Sequence, residues 1–195
     1  MTNALHSNDS PEWYTPSVFV EAARELMGGI DLDPASHEEA NRIVMADHYY
    51  TEADNGLLQE WYGRVFLNPP SGLVNDFWDL LVTNYTLDNL VEAVWIGYSL
   101  EQLQTIQQSS TVFDPMDYPI CITNKRIAFI ENEAKRLARI AKLTEYNAVN
   151  AAIGGKLRRI SEKAGSPSHS NYITYLGPQQ DRFKAIFSQF GKVRL

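Results

Sequence analysis

The chain has 195 residues, 44% hydrophobic and 11% aromatic, enough for one α/β domain with a buried core and short for two. No stretch approaches the roughly 20 apolar residues that span a bilayer, Met1–Glu12 lacks the basic start and apolar centre of a secretion signal, and Cys121 has no second cysteine to pair with; a cytoplasmic protein without membrane association is the expectation. The net charge of −7 is unevenly spread: residues 1–120 carry 19 acidic and three basic side chains (net −16), residues 121–195 carry 14 basic and five acidic (net +9), which suits a C-terminal face for a polyanion and equally suits two opposite faces that help each other fold.

Taken in chain order, residues 1–10 read as a flexible tail and residues 11–195 as a single domain. After Pro16, Ser17–Met27 carries apolar residues at helical spacing, and Gly28-Gly29 ends the helix. Ile30–Pro34 (IDLDP) reads as a short buried strand, His37–Ala46 as a short helix, and His48–Leu58 as a loop with Asp54-Asn55-Gly56 at its turn. Arg64–Asn68 is a strand stopped by Pro69-Pro70. Asn75–Thr86 is an amphipathic helix, Val91–Gly97 a core strand and Leu100–Gln108 a helix. Ile120–Ile130 suggests a strand or hairpin. Glu131–Gly165 is basic and helical, broken into two pieces at Gly154-Gly155. Asn171–Leu176 is a further strand, Asp181–Phe190 a helix and Lys192–Leu195 a last strand. Strands alternating with helices predict an α/β fold with a mainly parallel sheet and a helical basic insertion at 131–165.

Asn68-Pro69-Pro70-Ser71 lies where a buried strand ends, the place where open α/β sheets bind ligands. An exocyclic amine on an aromatic base, such as adenine N6, is a poor nucleophile because its lone pair is delocalised into the ring. An Asn side-chain oxygen and a backbone carbonyl can each accept one N–H from it, hold the nitrogen nearer to tetrahedral and aim its lone pair. Two prolines stiffen that carbonyl. This is catalysis by placement and electrostatics, needing no metal and no covalent nucleophile. For the tripeptide alone, a strand-ending turn is the commoner explanation.

Context comes from the strings SNDSPEWYTP, DLDPAS and HYYTEADNGLLQEWYGRVFLNPPSG. In this order, from Asp9 to about Gly72, they resemble the phage-type DNA N6-adenine methyltransferase (Dam-like) family. Weaker likeness continues through VWIGYSLEQLQ, PICITNKRIAFI and SPSHSNYITYLG; Glu131–Gly165 has no match. The resemblance implies a Rossmann-like, S-adenosylmethionine-dependent methyltransferase fold and methylation of adenine N6 in DNA. It assigns Asn68, Pro69, Pro70 and Ser71 to the target amine. Trp13, Tyr14, Thr15 and Pro16 fall to the methionine end of S-adenosyl-L-methionine, and Asp31, Asp33 and Pro34 to the first cofactor loop, with Asp54 and Asn55 as further contacts. Two features depart from amino-methyltransferases in general. The fourth residue of the tetrapeptide, usually an aromatic that stacks on the base, is Ser71, and Tyr98 is open as a replacement or as filler. DLDPAS also has no glycine, so a different turn must hold the cofactor. A phage origin would place the protein in a bacterial cytoplasm and hint at restriction–modification.

The basic residues Lys135, Arg136, Arg139 and Lys142 fall at helical spacings, with Lys156, Arg158, Arg159 and Lys163 beyond the glycines. Together with Arg126 they are the expected DNA contacts through phosphate neutralisation; a solvated helix face is the plain alternative. A base in a duplex must also leave the stack to be methylated. The four histidines and Cys121 show no metal-ligand spacing, so no metal is expected. Rival readings are a catalytically inactive methyltransferase-like module that binds DNA or protein, and an enzyme acting on cytosine N4 or on adenine in RNA. The oligomeric state is not fixed by any of these patterns.

Overall fold

The computed structural model describes residues 13–109, 113–161 and 169–195; the expected tail at residues 1–10, and Lys163, fall outside them. In chain order the elements are β1 (Trp13–Tyr14), α1 (Ser17–Met27), β2 (Leu32–Asp33), α2 (Glu38–Val44), β3 (His48–Tyr49), β4 (Gly63–Leu67), α3 (Val74–Thr86), β5 (Leu90–Gly97), α4 (Leu100–Ser109), β6 (Ile120–Thr123), β7 (Ile130–Glu131), α5 (Glu133–Ala152), β8 (Tyr172–Leu176), α6 (Gln180–Phe187) and β9 (Gly191–Arg194). They form two compact units. The larger comprises Thr15–Ile127 and Ser168–Leu195, and the smaller comprises the described residues of Met1–Tyr14 and Ala128–Pro167.

The larger unit is built on a seven-stranded sheet in the order β3-β2-β4-β5-β8-β6-β9. β4 and β5 read as continuous apolar runs because helices cover both faces of the sheet. On one face Val65, Leu67, Ala93 and Trp95 pack with Trp78, Leu81, Leu103 and Ile106 of α3 and α4, and the Trp78 and Trp95 rings meet edge to face at 5.1 Å. Residues alternate along a strand, so Phe66, Val94 and Ile96, all fully buried, serve the opposite face, where α1 lies against β4 and β5 and Phe183 of α6 stacks on Tyr175. α1 ends as its sequence predicts: Gly28 takes the left-handed conformation (φ 77°) and donates its N–H to the Arg24 carbonyl, a cap that favours a residue without Cβ.

The sheet is mixed, not mainly parallel. β3-β2, β2-β4 and β4-β5 pair parallel, whereas β5-β8, β8-β6 and β6-β9 pair antiparallel. β6 runs in the same direction as β5, but β8 is inserted between them and opposes both. Strand–helix alternation predicts the direction in which each strand runs, not which strand becomes its neighbour. β6 joins this sheet while β7 pairs with β1 in another, so Ile120–Ile130 is no hairpin.

In the smaller unit, β1 and β7 pair antiparallel, Trp13 opposite Glu131 and Tyr14 opposite Ile130, and the Asn132 side-chain amide donates to the Tyr14 hydroxyl. α5 is one helix of 20 residues. The glycine pair ends it instead of dividing it: Gly154 sits at φ 67°, and the chain that follows, to residue 161, is neither helix nor strand. This segment is tied back on the helix. The Asn147 side chain accepts the Arg158 N–H (2.8 Å) and donates to its carbonyl (2.7 Å), and the Arg158 guanidinium lies 4.4 Å from the Tyr146 ring centre. Among the described residues no helix is long and apolar enough to cross a membrane, and no three His, Cys, Asp or Glu side chains converge as a metal site.

Candidate active site

The parallel strands β2, β3, β4 and β5 end together at one rim of the larger unit. Leu32 pairs with Val65 and Leu67 with Trp95, so continuing each register brings Pro34-Ala35, Leu67-Asn68 and Trp95-Ile96 side by side. α1 runs back along the sheet. Phe19 near its start packs on Phe190, with ring centres 4.5 Å apart, and Gly191 pairs with Thr123 at the end of β6. Thr15 and Pro16 therefore belong to this same rim.

Here Asn68 is half-buried, Pro69 buried, and Pro70 and Ser71 exposed. The two proline carbonyls differ. That of Pro70 accepts the Leu73 N–H at 3.0 Å; no hydrogen bond between described residues ends on that of Pro69. Beyond them opens a cleft of about 390 Å³ lined by Ser71, Asn75, Tyr98, Ser99, Gln102 and Thr105, among others, within the roughly 300–1,000 Å³ of small-ligand sites. Asn75 Oδ1 and, toward α1, Thr15 Oγ1 are buried polar atoms without a hydrogen-bond partner among the described residues.

The two acids of DLDP have different fates. Asp31 stands at the amino end of β2 and is held by Arg64, whose Nε donates at 2.8 Å and whose backbone N–H donates at 2.7 Å to Oδ2, with an ion pair to Oδ1 besides. The Arg64 side chain keeps the Asp31 carboxyl below its ordinary pKa. Asp31 thus fastens β2 to β4 at the rim opposite Asn68. Asp33, at the carboxyl end, is 3% exposed and accepts a hydrogen bond from the Ala35 N–H at 3.2 Å. Burial pushes its pKa up to about 7 against the pull of that amide and of the neighbouring Ser36 side chain, and no cationic side chain among the described residues pairs with it. A cationic ligand would supply what Asp33 lacks.

Asp54 and Asn55 shape the loop after β3. The exposed Asp54 carboxylate accepts the Thr51 N–H (2.8 Å) and hydroxyl (2.7 Å), contacts that lower its pKa, and Asn55 takes a left-handed conformation. Gly56 next to them lies so close to the Pro34 carbonyl that a Cβ would collide with it. This is the contact that brings ADNG against DLDP, and it provides the glycine that the first loop lacks. Trp13 and Tyr14 belong to the smaller unit, as β1.

Among the expected DNA contacts, Lys142, Lys156, Arg159 and Arg126 are exposed. Arg136 and Arg139 are bound by acids: Arg136 by Glu133 one helical turn away (2.8 Å), Arg139 by the buried Glu131 at 2.9 and 3.1 Å. Both guanidinium groups are thus ion-paired within the unit. Arg158 is the residue stacked on Tyr146, and Lys135 lies in the first turns of α5.

Sequence reasoning overlooked the bracing of the cleft. The Tyr98 N–H donates to Gln102 Oε1 at 2.9 Å and its carbonyl accepts from Asn171 Nδ2 at 2.5 Å; Asn171, 1% exposed, also accepts the Ile127 N–H at 2.8 Å. The strings YSLEQLQ and SNYITYL contain both residues, but only the pairing of β5 with β8 brings them together. The family described as DNA N-6-adenine-methyltransferase (Dam) matches residues 2–145 of the chain. No curated protein and no solved structure matches it.

Proposed function

Because the chain belongs to the DNA N-6-adenine-methyltransferase (Dam) family, we propose that it transfers the methyl group of S-adenosyl-L-methionine to N6 of adenine in DNA, at the carboxyl-end rim of the sheet. The observation that carries this reading is the Pro69 carbonyl next to Asn68, on which no hydrogen bond between described residues ends: two acceptors on a stiff turn beside a cleft. Asn68 Oδ1 and the Pro69 carbonyl each accept one N–H of the amine, which draws its lone pair out of conjugation. Pro70, its own carbonyl bonded to Leu73, fixes the turn.

The buried polar groups at this rim fit the cofactor. Asp33 suits an ammonium or a ribose hydroxyl, Thr15 Oγ1 is a buried hydroxyl in want of a partner, and Pro34 with Gly56 forms a close-packed floor. Bound S-adenosylmethionine supplies an electrophilic methyl carbon on a sulfonium. The chain's own residues hold and orient the amine; we read the fold as a variant of the Rossmann-like methyltransferase architecture that keeps its parallel half and replaces the rest with antiparallel strands.

The smaller unit serves as the DNA arm in this reading, through Lys142, Lys156 and Arg159; Arg126, in the larger unit, is a separate candidate phosphate contact. With a handful of phosphate contacts, affinity for plasmid DNA should fall steeply with salt. Charge reversal at both Lys156 and Arg159 should lower the slope of log K against log salt by about 2, since each contact contributes roughly 0.9, as measured by fluorescence anisotropy. An unchanged slope would remove these two residues from the interface.

The deciding experiment is incubation with tritiated S-adenosylmethionine and unmethylated DNA, followed by digestion to nucleosides and mass spectrometry. Label in N6-methyl-2′-deoxyadenosine from DNA is expected. Label in N4-methylcytosine or in RNA would move the substrate, and no label with intact DNA binding would leave an inactive binding module.

A further inference from the structure

We propose that Tyr98 is the stacking face for the extruded base, in place of the aromatic that is missing at Ser71; the inference rests on the reading above and adds a residue to it. A base taken out of its helix needs a flat or apolar surface to lie on, because its faces lose their neighbours in the stack. Ser71 cannot supply one: it is small and exposed. Tyr98 lines the same cleft as Ser71 from the end of the adjacent strand, two residues beyond the point where the continued register sets Ile96 beside Asn68.

The environment of Tyr98 is that of a placed ring, not of core filler. Gly97 and Ser99 on either side are buried, while Tyr98 is half-exposed. Its main chain is held at both polar atoms, by Gln102 and by Asn171, and each of those side chains is itself buried. Fixing a backbone through two side chains from different elements, α4 and the start of β8, limits where the ring can go. The His169 ring lies against it, with ring centres 5.0 Å apart and a tilt of 48°, so a second ring restrains Tyr98.

The test uses the full chain and reads stacking separately from methyl transfer. A single-stranded thymidine oligonucleotide with one 2-aminopurine is titrated with wild type, Tyr98→Phe and Tyr98→Leu; 2-aminopurine emission is quenched when it stacks on an aromatic ring. Quenching by wild type and Tyr98→Phe, and its loss in Tyr98→Leu at saturating protein, is expected. In parallel, kcat/KM on plasmid DNA should fall at least about fivefold in Tyr98→Leu, as loss of a base–aromatic stack implies, and stay within about twofold in Tyr98→Phe, with cofactor affinity and thermal midpoint unchanged in both. Equal quenching by Tyr98→Leu, no quenching by wild type, or equal loss in the Phe and Leu variants would each overturn the proposal. Quenching without any labelling of DNA by wild type would instead sink the methyltransferase reading and leave Tyr98 as a base-stacking residue.

Discussion

The two rims of the sheet treat buried polar groups in opposite ways. At the amino-end rim of the parallel strands the acids are answered from within the chain. Asp31 has Arg64. Glu92, 4% exposed, accepts from the Tyr175 hydroxyl and from Gln179 Nε2 at 3.1 Å, and that amide also reaches the Leu26 carbonyl. At the carboxyl-end rim Asp33 has the Ala35 amide and the neighbouring Ser36 side chain but no cation, and among the described residues Thr15 Oγ1 and Asn75 Oδ1 have no hydrogen-bond partner and no hydrogen bond ends on the Pro69 carbonyl. An unsatisfied buried polar group costs about 1–3 kcal/mol, so one rim stabilises the fold and the other holds a cost that a ligand can relieve.

Substitutions that should affect one rim and not the other follow from this contrast. The largest effect belongs to Asn68→Ala, which should lower methyl transfer by at least about 100-fold, the scale of removing one placed polar group at a reacting centre, while calorimetric binding of S-adenosylmethionine persists. Full activity in that variant would remove the mechanism. Asp33→Asn comes next. Cofactor affinity should drop about 10- to 100-fold, in line with a charge-assisted hydrogen bond, yet the ligand-free protein should become more stable at pH 8. The sign follows from the raised pKa: folded Asp33 binds its proton up to about pH 7, the unfolded residue only to about pH 4, so the wild type loses stability as pH rises between those limits. The gain from Asn, up to about 4 kcal/mol at pH 8, should shrink toward zero near pH 4 in thermal melts. A wild type that grew more stable than Asp33→Asn from pH 4 to pH 8 would contradict the burial argument. The smallest effect is that of Asp31→Ala, about 1–3 kcal/mol of stability and hence a midpoint lower by roughly 3–10 °C for a chain of this size, with cofactor binding intact. Loss of cofactor affinity in that variant would mean the rims are not separate.

Much of the fold is visible in local pattern where the pattern is long enough. Pro16 and Gly28 bracket α1, and the apolar runs of β4 and β5 report burial on both faces. β1, β3 and β7 have two residues each, too few for any periodicity. The place of β8 between β5 and β6 rests on pairings of residues about 80 and about 50 positions apart, and nothing local encodes it. Site residues divide in the same way. Asn68-Pro69 is legible because a strand is visibly stopped by prolines. Asp31 and Asp33 look alike in DLDP, and only the register with Arg64 separates a fastening from a vacancy for charge. Arg136 betrays its partner, since Glu133 lies at helical spacing, whereas Glu131 reaches Arg139 from outside the helix.

Consecutive prolines also leave a stretch of main chain without hydrogen to give. Neither Pro69 nor Pro70 has an N–H, so the wall past Asn68 offers lone pairs only. Guanine, thymine and uracil present a keto oxygen where adenine and cytosine carry their amine, and would meet that wall oxygen against oxygen. In the proposed reading, discrimination between keto and amino bases would then rest in part on the backbone, through the Pro69 carbonyl, beside the Asn68 side chain.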